Sequence, residues 1–217
     1  MRTNQMTDIL KQKKKTSRFD LSSIGSRRGK SGNQKFKVVD HDFFPTESKF
    51  VHLLLDNHVF TNDTWEPACG EGDISIALLD RGYNVVSSDL VDRGYGRTGR
   101  DFLTAKVARG TSIITNPPFS LFNEFVNKSS QLVDQFAMLT SLPSLAASQS
   151  RYREIFEPLP PQKLVLIIDK MRIRKSDGSQ SLSMFNHIWC IWDSKMNQKK
   201  TEFVFVLGGK DYKWANH

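Results

Sequence analysis

At two places an apolar run stops against residues that cannot lengthen a strand, and a helical pattern follows within a few positions. The first is Glu66-Pro67-Ala68-Cys69-Gly70-Glu71-Gly72, after Thr64-Trp65. The second is Asn116-Pro117-Pro118-Phe119, after Ser112-Ile113-Ile114-Thr115. Proline removes a ladder donor, and glycine opens backbone conformations closed to other residues. Strand, tight loop and helix in that order are the unit of a parallel sheet, whose ligands bind beyond the carboxyl ends of the strands.

The chain repeats this unit. Phe50, Val51, Leu54, Leu55 and His58 recur at helical spacing in 47–58, with Thr46 as N-cap or Pro45 as a stop before it. Residues 73–81, 121–132 and 146–156 predict further helices, the first closed by Gly82. Residues 84–89, 112–115, 135–142, 163–169, 187–192 and 202–207 predict strands. Strands alternate with helices to about residue 169 and then dominate. The expected fold is α/β: a mostly parallel sheet with helices on both faces and an antiparallel element near the end.

Net charge is +8 over 217 residues, unevenly spread. Residues 1–37 hold 11 Lys/Arg against 2 Asp/Glu, residues 38–150 hold 8 against 14, and residues 151–217 hold 12 against 7. Basic ends around an acidic middle suit a polyanion gripped from its flanks. Residues 1–37 have too few apolar side chains to offset ordering entropy and are expected to be a basic tail; 38–217 is expected to be one domain. Lys13, Lys14, Lys15, Arg27 and Arg28, with Arg172, Arg174 and Lys175 beyond the middle, are the candidate nucleic-acid contacts. Phe185 and Trp189 could stack on bases, with core packing the favoured reading for Trp189 and Trp192. Gly29-Lys30-Ser31 lacks the preceding strand and glycine of a phosphate loop.

No apolar run is long enough for a membrane span, and no secretory signal is expected. Cys69 and Cys190 make no disulfide framework, so a reducing, cytoplasmic setting is expected. His41, His52, His58, His187 and His217 lack ligand spacing, and no metal is expected.

The two loops carry the chemistry. Glu66, Glu71 and Asp73 would repel a phosphate, so the glycine loop suits a cationic or zwitterionic molecule such as a sulfonium derivative of methionine. Gly70 and Gly72 allow close approach. Asp89, ending the next strand, is placed to accept ribose hydroxyls. Asp101 is a candidate acceptor for an adenine amine, with Phe102 beside the ring. In the second loop, the Asn116 side-chain carbonyl and the Pro117 main-chain carbonyl can accept the hydrogens of an amine on a planar group. Phe119 offers it a stacking face. Positioning and electrostatics would then carry the transfer.

These motifs resemble the amino-methyltransferases of the class I S-adenosylmethionine-dependent enzymes. Glu66 to Gly72, with Ala68 inside it, looks like their cofactor loop, and Asn116-Pro117-Pro118-Phe119 like their catalytic motif. Phe44-Pro45-Thr46 looks like the N-terminal motif of N6-adenine DNA enzymes, which lies against the methionine end of the cofactor. Glu47 stands where many of those have a second proline. The motif order is similar to the gamma-type arrangement. Small phage- or plasmid-encoded methyltransferases are the nearest in appearance. The resemblance implies a Rossmann-like class I methyltransferase fold with a seven-stranded sheet and an antiparallel C-terminal strand, and S-adenosyl-L-methionine as cofactor. It also implies DNA as the partner in a bacterial or phage-infected cell; the sequence departs from the family in that no large target-recognition domain is expected after the catalytic motif. RNA bases or a protein glutamine are alternative substrates, and a non-catalytic nucleic-acid-binding module is the alternative of another class.

Overall fold

β4 (Gln135–Ser141) and β8 (His187–Asp193) are buried at every position. Strands covered on both faces read as unbroken apolar runs, and these two form the middle of the sheet. A computed structural model describes residues 44–145, 148–174, 179–196 and 200–207. In chain order its elements are α1 (Ser48–Asn57), β1 (Asp63–Glu66), α2 (Asp73–Asp80), β2 (Asn84–Ser87), β3 (Ser112–Thr115), α3 (Phe122–Leu132), β4, and the short α4 (Leu142–Leu145). There follow α5 (Gln149–Arg151), β5 (Lys163–Ile167), β6 (Arg172–Arg174), β7 (Gln180–Leu182), β8 and β9 (Glu202–Val206).

Seven strands form one sheet in the order β2-β1-β3-β4-β8-β5-β9, and β6 and β7 pair separately. Neighbours are parallel except around β8, which runs against both β4 and β5. The antiparallel strand expected near the C-terminal end is β8. It is the penultimate strand, inserted in the interior, while the last strand, β9, pairs parallel with β5 at the edge.

Helices cover both faces. Phe50, Val51 and Leu54 of α1 and Ile74, Ala77 and Leu78 of α2 pack on Ile114, Leu139, Val165, Trp189 and Ile191. On the other face Phe122, Phe125 and Val126 of α3, with Ile155, pack on Trp65, Ile113, Phe136, Met138 and Trp192. The buried indoles find partners: Trp189 Nε1 donates to Phe50 O and Trp192 Nε1 to Leu159 O, each at 2.9 Å. Trp189 is thus core, not a base-stacking residue. The helix expected over 146–156 begins later: α5 passes into a π-helical turn over Tyr152–Phe156, and residues 146–147 lie outside the described chain. Arg151 braces this turn, donating to Asn123 Oδ1 and Ser144 O and lying 5.1 Å above the Phe122 ring. No described helix is long and apolar enough to cross a membrane.

Burial separates two substitutions sharply. Ile191→Ala, at the fully buried centre of β8, is expected to cost about 2–5 kcal/mol in urea unfolding. Phe205→Ala, on the open side of edge strand β9 and 59% exposed, is expected to stay within roughly 0.5 kcal/mol of wild type.

Candidate active site

The chain leaves β1 for α2 on one face of the sheet and leaves adjacent β3 for α3 on the other. The two loops diverge there, at the carboxyl edge, which is the ligand position of open α/β sheets. Both motifs singled out in the sequence meet at this switch point.

Gly70 and Gly72 have φ of 55° and 95°, and Gly72 N donates to Cys69 O at 2.8 Å. Left-handed backbone here turns the chain directly into α2. Glu66, the last residue of β1, is buried beneath the loop. It accepts hydrogen bonds from the hydroxyl and the main-chain N–H of Ser75, and Ser75 Oγ lies 2.6 Å from Ser87 Oγ. The carboxyl therefore holds the first turn of α2 and ties it to β1 and β2, a supporting role beneath the loop. Burial, followed by its Asp73 and Asp89 neighbours, pushes the Glu66 carboxyl well above its usual range despite the Ser75 bonds.

Asp89 accepts from Gly70 N at Oδ2 and from Val91 N at Oδ1, both 2.8 Å. It locks the glycine loop to the segment after β2 and keeps lone pairs for further donors. That segment folds back over the strand ends: Asp89 N donates to Arg97 O, and Arg97 N to Ser87 O. Tyr95 lies so close over the glycine loop that a Cβ on Gly72 would be 2.6 Å from its ring. Tyr95 went unnoticed in the sequence because it sits in a loop without periodicity. Ala68 is half-buried in the loop and packs against the α3-side core. Asp101 is exposed and caps a 3₁₀ turn by accepting from Leu103 N at 2.9 Å. Phe102 corrects its expectation: its ring is buried edge-on to Trp65 at 5.2 Å and beside Phe125 at 4.8 Å, in the core.

Asn116 is the first residue after β3. Its Nδ2 donates to Phe44 O at 3.2 Å and to Thr46 Oγ1 at 3.1 Å. Thr46 is therefore not the N-cap of α1; Glu47 occupies that position without a side-chain cap bond. With both amide hydrogens engaged, Oδ1 is fixed as the free end. It is buried and has no hydrogen-bond partner among the described residues. Pro118 is extended at φ −50°, ψ 127°, and turns the chain so that Phe119 stacks on Phe44 at 5.7 Å and 24°. Pro117 is buried and Pro45 half-buried beside them.

One group at this edge escaped the sequence reading. The His187 ring lies 6.3 Å from Phe119 and 6.3 Å, edge-on, from Phe50. Burial, reinforced by the Lys170 charge, lowers its pKa to about 4. Of the candidate nucleic-acid contacts, Arg172 is exposed on β6 and its main-chain N–H donates to Glu47 Oε1 at 2.6 Å. Arg174 pairs through its backbone with Gln180. Lys13, Lys14, Lys15, Arg27, Arg28 and Lys175 lie outside the described residues. Phe185 is exposed.

No protein-family model matches the sequence, and no curated protein sequence matches it. Solved structures do match in fold. One, assigned as the modification subunit of a type I restriction enzyme from Vibrio vulnificus, superposes with a TM-score of 0.50 at 12% identity, over 77% of this chain and 50% of that one. This chain thus spans half the length of that subunit. Two others are a protein assigned as an RNA methyltransferase from Pyrococcus horikoshii and one assigned as a class I S-adenosylmethionine-dependent methyltransferase from Listeria monocytogenes. The first has a TM-score of 0.49 and 15% identity, over 67% of this chain and 80% of that one. The second has a TM-score of 0.49 and 10% identity, over 73% and 62%. The chain has the Rossmann-like fold of class I methyltransferases.

The buried carboxyl under the loop makes a pH-dependent prediction. Glu66 has a folded pKa raised above the ordinary 4.5. Between the two values the folded state retains a proton that the unfolded chain releases, so its stability contribution falls as pH rises. Glu66→Gln is expected to match wild type in urea midpoint near pH 4 and to equal or exceed it near about pH 8. A midpoint that drops more for the variant than for wild type on going to the higher pH would show Glu66 to be ionised in the fold.

Proposed function

We propose that the chain transfers a methyl group from S-adenosylmethionine to the exocyclic amine of a planar substrate, adenine in DNA. The observation that carries this reading is the Asn116 amide, pinned by Phe44 and Thr46 so that a buried carbonyl oxygen waits without a donor. Leaving a buried acceptor unmade costs about 1–3 kcal/mol. An amine hydrogen at that oxygen removes the cost, and the amine is oriented in the same step.

The residues of the glycine loop fit the cofactor. Gly70 and Gly72 keep the backbone close and free of side chains, and Asp89 retains acceptor capacity for hydroxyls. Glu71, Asp73 and Asp89 suit a cation and oppose phosphate. Phe44-Pro45-Thr46 borders the amine end. When bound, the cofactor supplies an electrophilic methyl on a positively charged sulfur.

The chain's own groups do the rest. Asn116 Oδ1 accepts one amine hydrogen and the Pro117 carbonyl the other, drawing the nitrogen lone pair out of conjugation and toward the methyl. Phe119 stacks on the planar group and holds it in register. The nitrogen gains a methyl and gives up a proton, which passes to water. The choice of DNA rests on Phe44-Pro45-Thr46 and on the basic ends, which favour a polyanion over protein.

Incubation with methyl-labelled cofactor and separate DNA, RNA and protein pools tests the reading. Label is expected in DNA as a methylated adenine; label confined to protein or RNA overturns the substrate. Asn116→Ala is expected to lower transfer about a hundredfold or more while the heat shift with S-adenosylmethionine survives. Thr46→Val, which removes one of the two acceptors holding the amide, should give a smaller loss of the same kind. A Thr46→Val protein as active as wild type would show that the amide needs no such anchor.

A further inference from the structure

β8 runs against its neighbours, so its first residue, not its last, reaches the carboxyl edge. That residue is His187, opposite Ser141 of β4 and Ile167 of β5. It lies on the α1/α2 side, as Asn116 does, because Trp189 and Ile191 share its strand face and Ile114 shares that of Asn116. Phe119 touches both ends of this wall, stacked on Phe44, whose carbonyl holds Asn116, and ring to ring with His187.

An imidazole is an odd choice here. His187 is 3% exposed, its Nδ1 is buried without a partner, and neither ring nitrogen makes a hydrogen bond among the described residues. A leucine or phenylalanine in its place would avoid the cost of an unmade bond. Lys170 does not serve as a partner, since its ammonium donates to Met184 O at 2.8 Å and Asn186 Oδ1 at 3.0 Å. Buried and close to a cation, the ring stays neutral and is too weak a base to take a proton at neutral pH. A neutral imidazole offers one N–H donor and one acceptor and no charge. What it suits is an uncharged heteroatom arriving with the substrate.

We propose that His187 is a substrate-selecting residue. Its neutral imidazole donates an N–H to the unprotonated ring nitrogen beside the amine that Asn116 accepts. The two orphaned groups, Asn116 Oδ1 and the His187 ring, then read the exocyclic amine and a ring nitrogen of one aminated heterocycle while Phe119 reads its face. This rests on the methyl-transfer reading above.

The test copies one plasmid in vitro with adenine, 7-deazaadenine or 1-deazaadenine, so that no recognition sequence need be known. Each DNA is offered with labelled S-adenosylmethionine to wild type, His187→Phe and His187→Gln. Wild type should lose about tenfold in kcat/KM on one of the two analogues. His187→Phe should be slowed about as much on ordinary adenine and lose nothing further on that analogue. His187→Gln, which retains an N–H, should recover part of the rate, and it carries the comparison if the Phe variant fails to fold. Equal losses on the analogues in wild type and variant, or no loss in either, overturn the role of His187 and leave the methyl-transfer reading standing. A wild-type protein that labels none of the three DNAs while binding cofactor overturns the DNA substrate, and His187's role with it.

Discussion

The amide of Asn116 is held by two oxygens that arrive from 70 and 72 residues earlier in the chain, the Thr46 hydroxyl and the Phe44 carbonyl. Neither bond exists unless α1 sits correctly on the sheet. That is secured by the burial of Phe50, Val51 and Leu54 and by the Trp189 indole, which donates to the Phe50 carbonyl. The orientation of one side chain at the end of β3 therefore depends on the packing of a helix that starts outside the strand–helix repeat. Pro117 and Pro118 then prevent β3 from continuing, and Phe119 stacks back on Phe44. Hydrogen bond and ring contact join the same two segments, so the amide cannot flip without breaking both its acceptors.

The glycine loop is held from beneath rather than from the ligand side. Glu66 is buried where β1 ends, and its bonds to Ser75 connect the strand to the first turn of α2. A buried carboxyl is costly when ionised, and the raised pKa says that the fold prefers it protonated. Asp89 completes the frame by bonding Gly70 N from the next strand. Both carboxyl groups lie at or just beyond the ends of parallel strands, Glu66 buried and Asp89 half-exposed. The covered one supports the loop, and the half-open one remains available to a ligand.

Much of this frame was legible in the residues. The strands at 112–115, 135–142 and 187–192 were read to within a residue or two because both their faces are buried, which makes an apolar run distinctive, and those at 163–169 and 202–207 because their runs are apolar although β9 is an exposed edge strand. The two loops stood out because proline and glycine act locally. Roles that depend on distant partners were not legible. Thr46 looked like a helix cap, since Thr before a helical run has that local meaning, and its long-range bond to Asn116 leaves no trace in the spacing. Phe102 looked like a ligand contact, and only the positions of Trp65 and Phe125 show it to be core. His187 was passed over because the rule about strand ends concerns carboxyl ends. One antiparallel strand reverses which of its residues meets the site.

The two loops at the carboxyl edge differ electrostatically in a way that suits the proposed transfer. The glycine-loop half carries Glu71, Asp73 and Asp89, while the amine half is built from Asn116, two prolines, Phe44, Phe119 and an imidazole held neutral by burial. A cationic donor is stabilised on the first side and meets no like charge on the second. A protonated His187 would change this, placing a positive charge beside an amine whose nitrogen becomes more positive as it bonds to carbon. Lowering that pKa to about 4 keeps the donor N–H and removes the repulsion. In the proposed reading burial of the ring would serve the transfer twice: it keeps the imidazole neutral, and it leaves Nδ1 without a hydrogen-bond partner among the described residues.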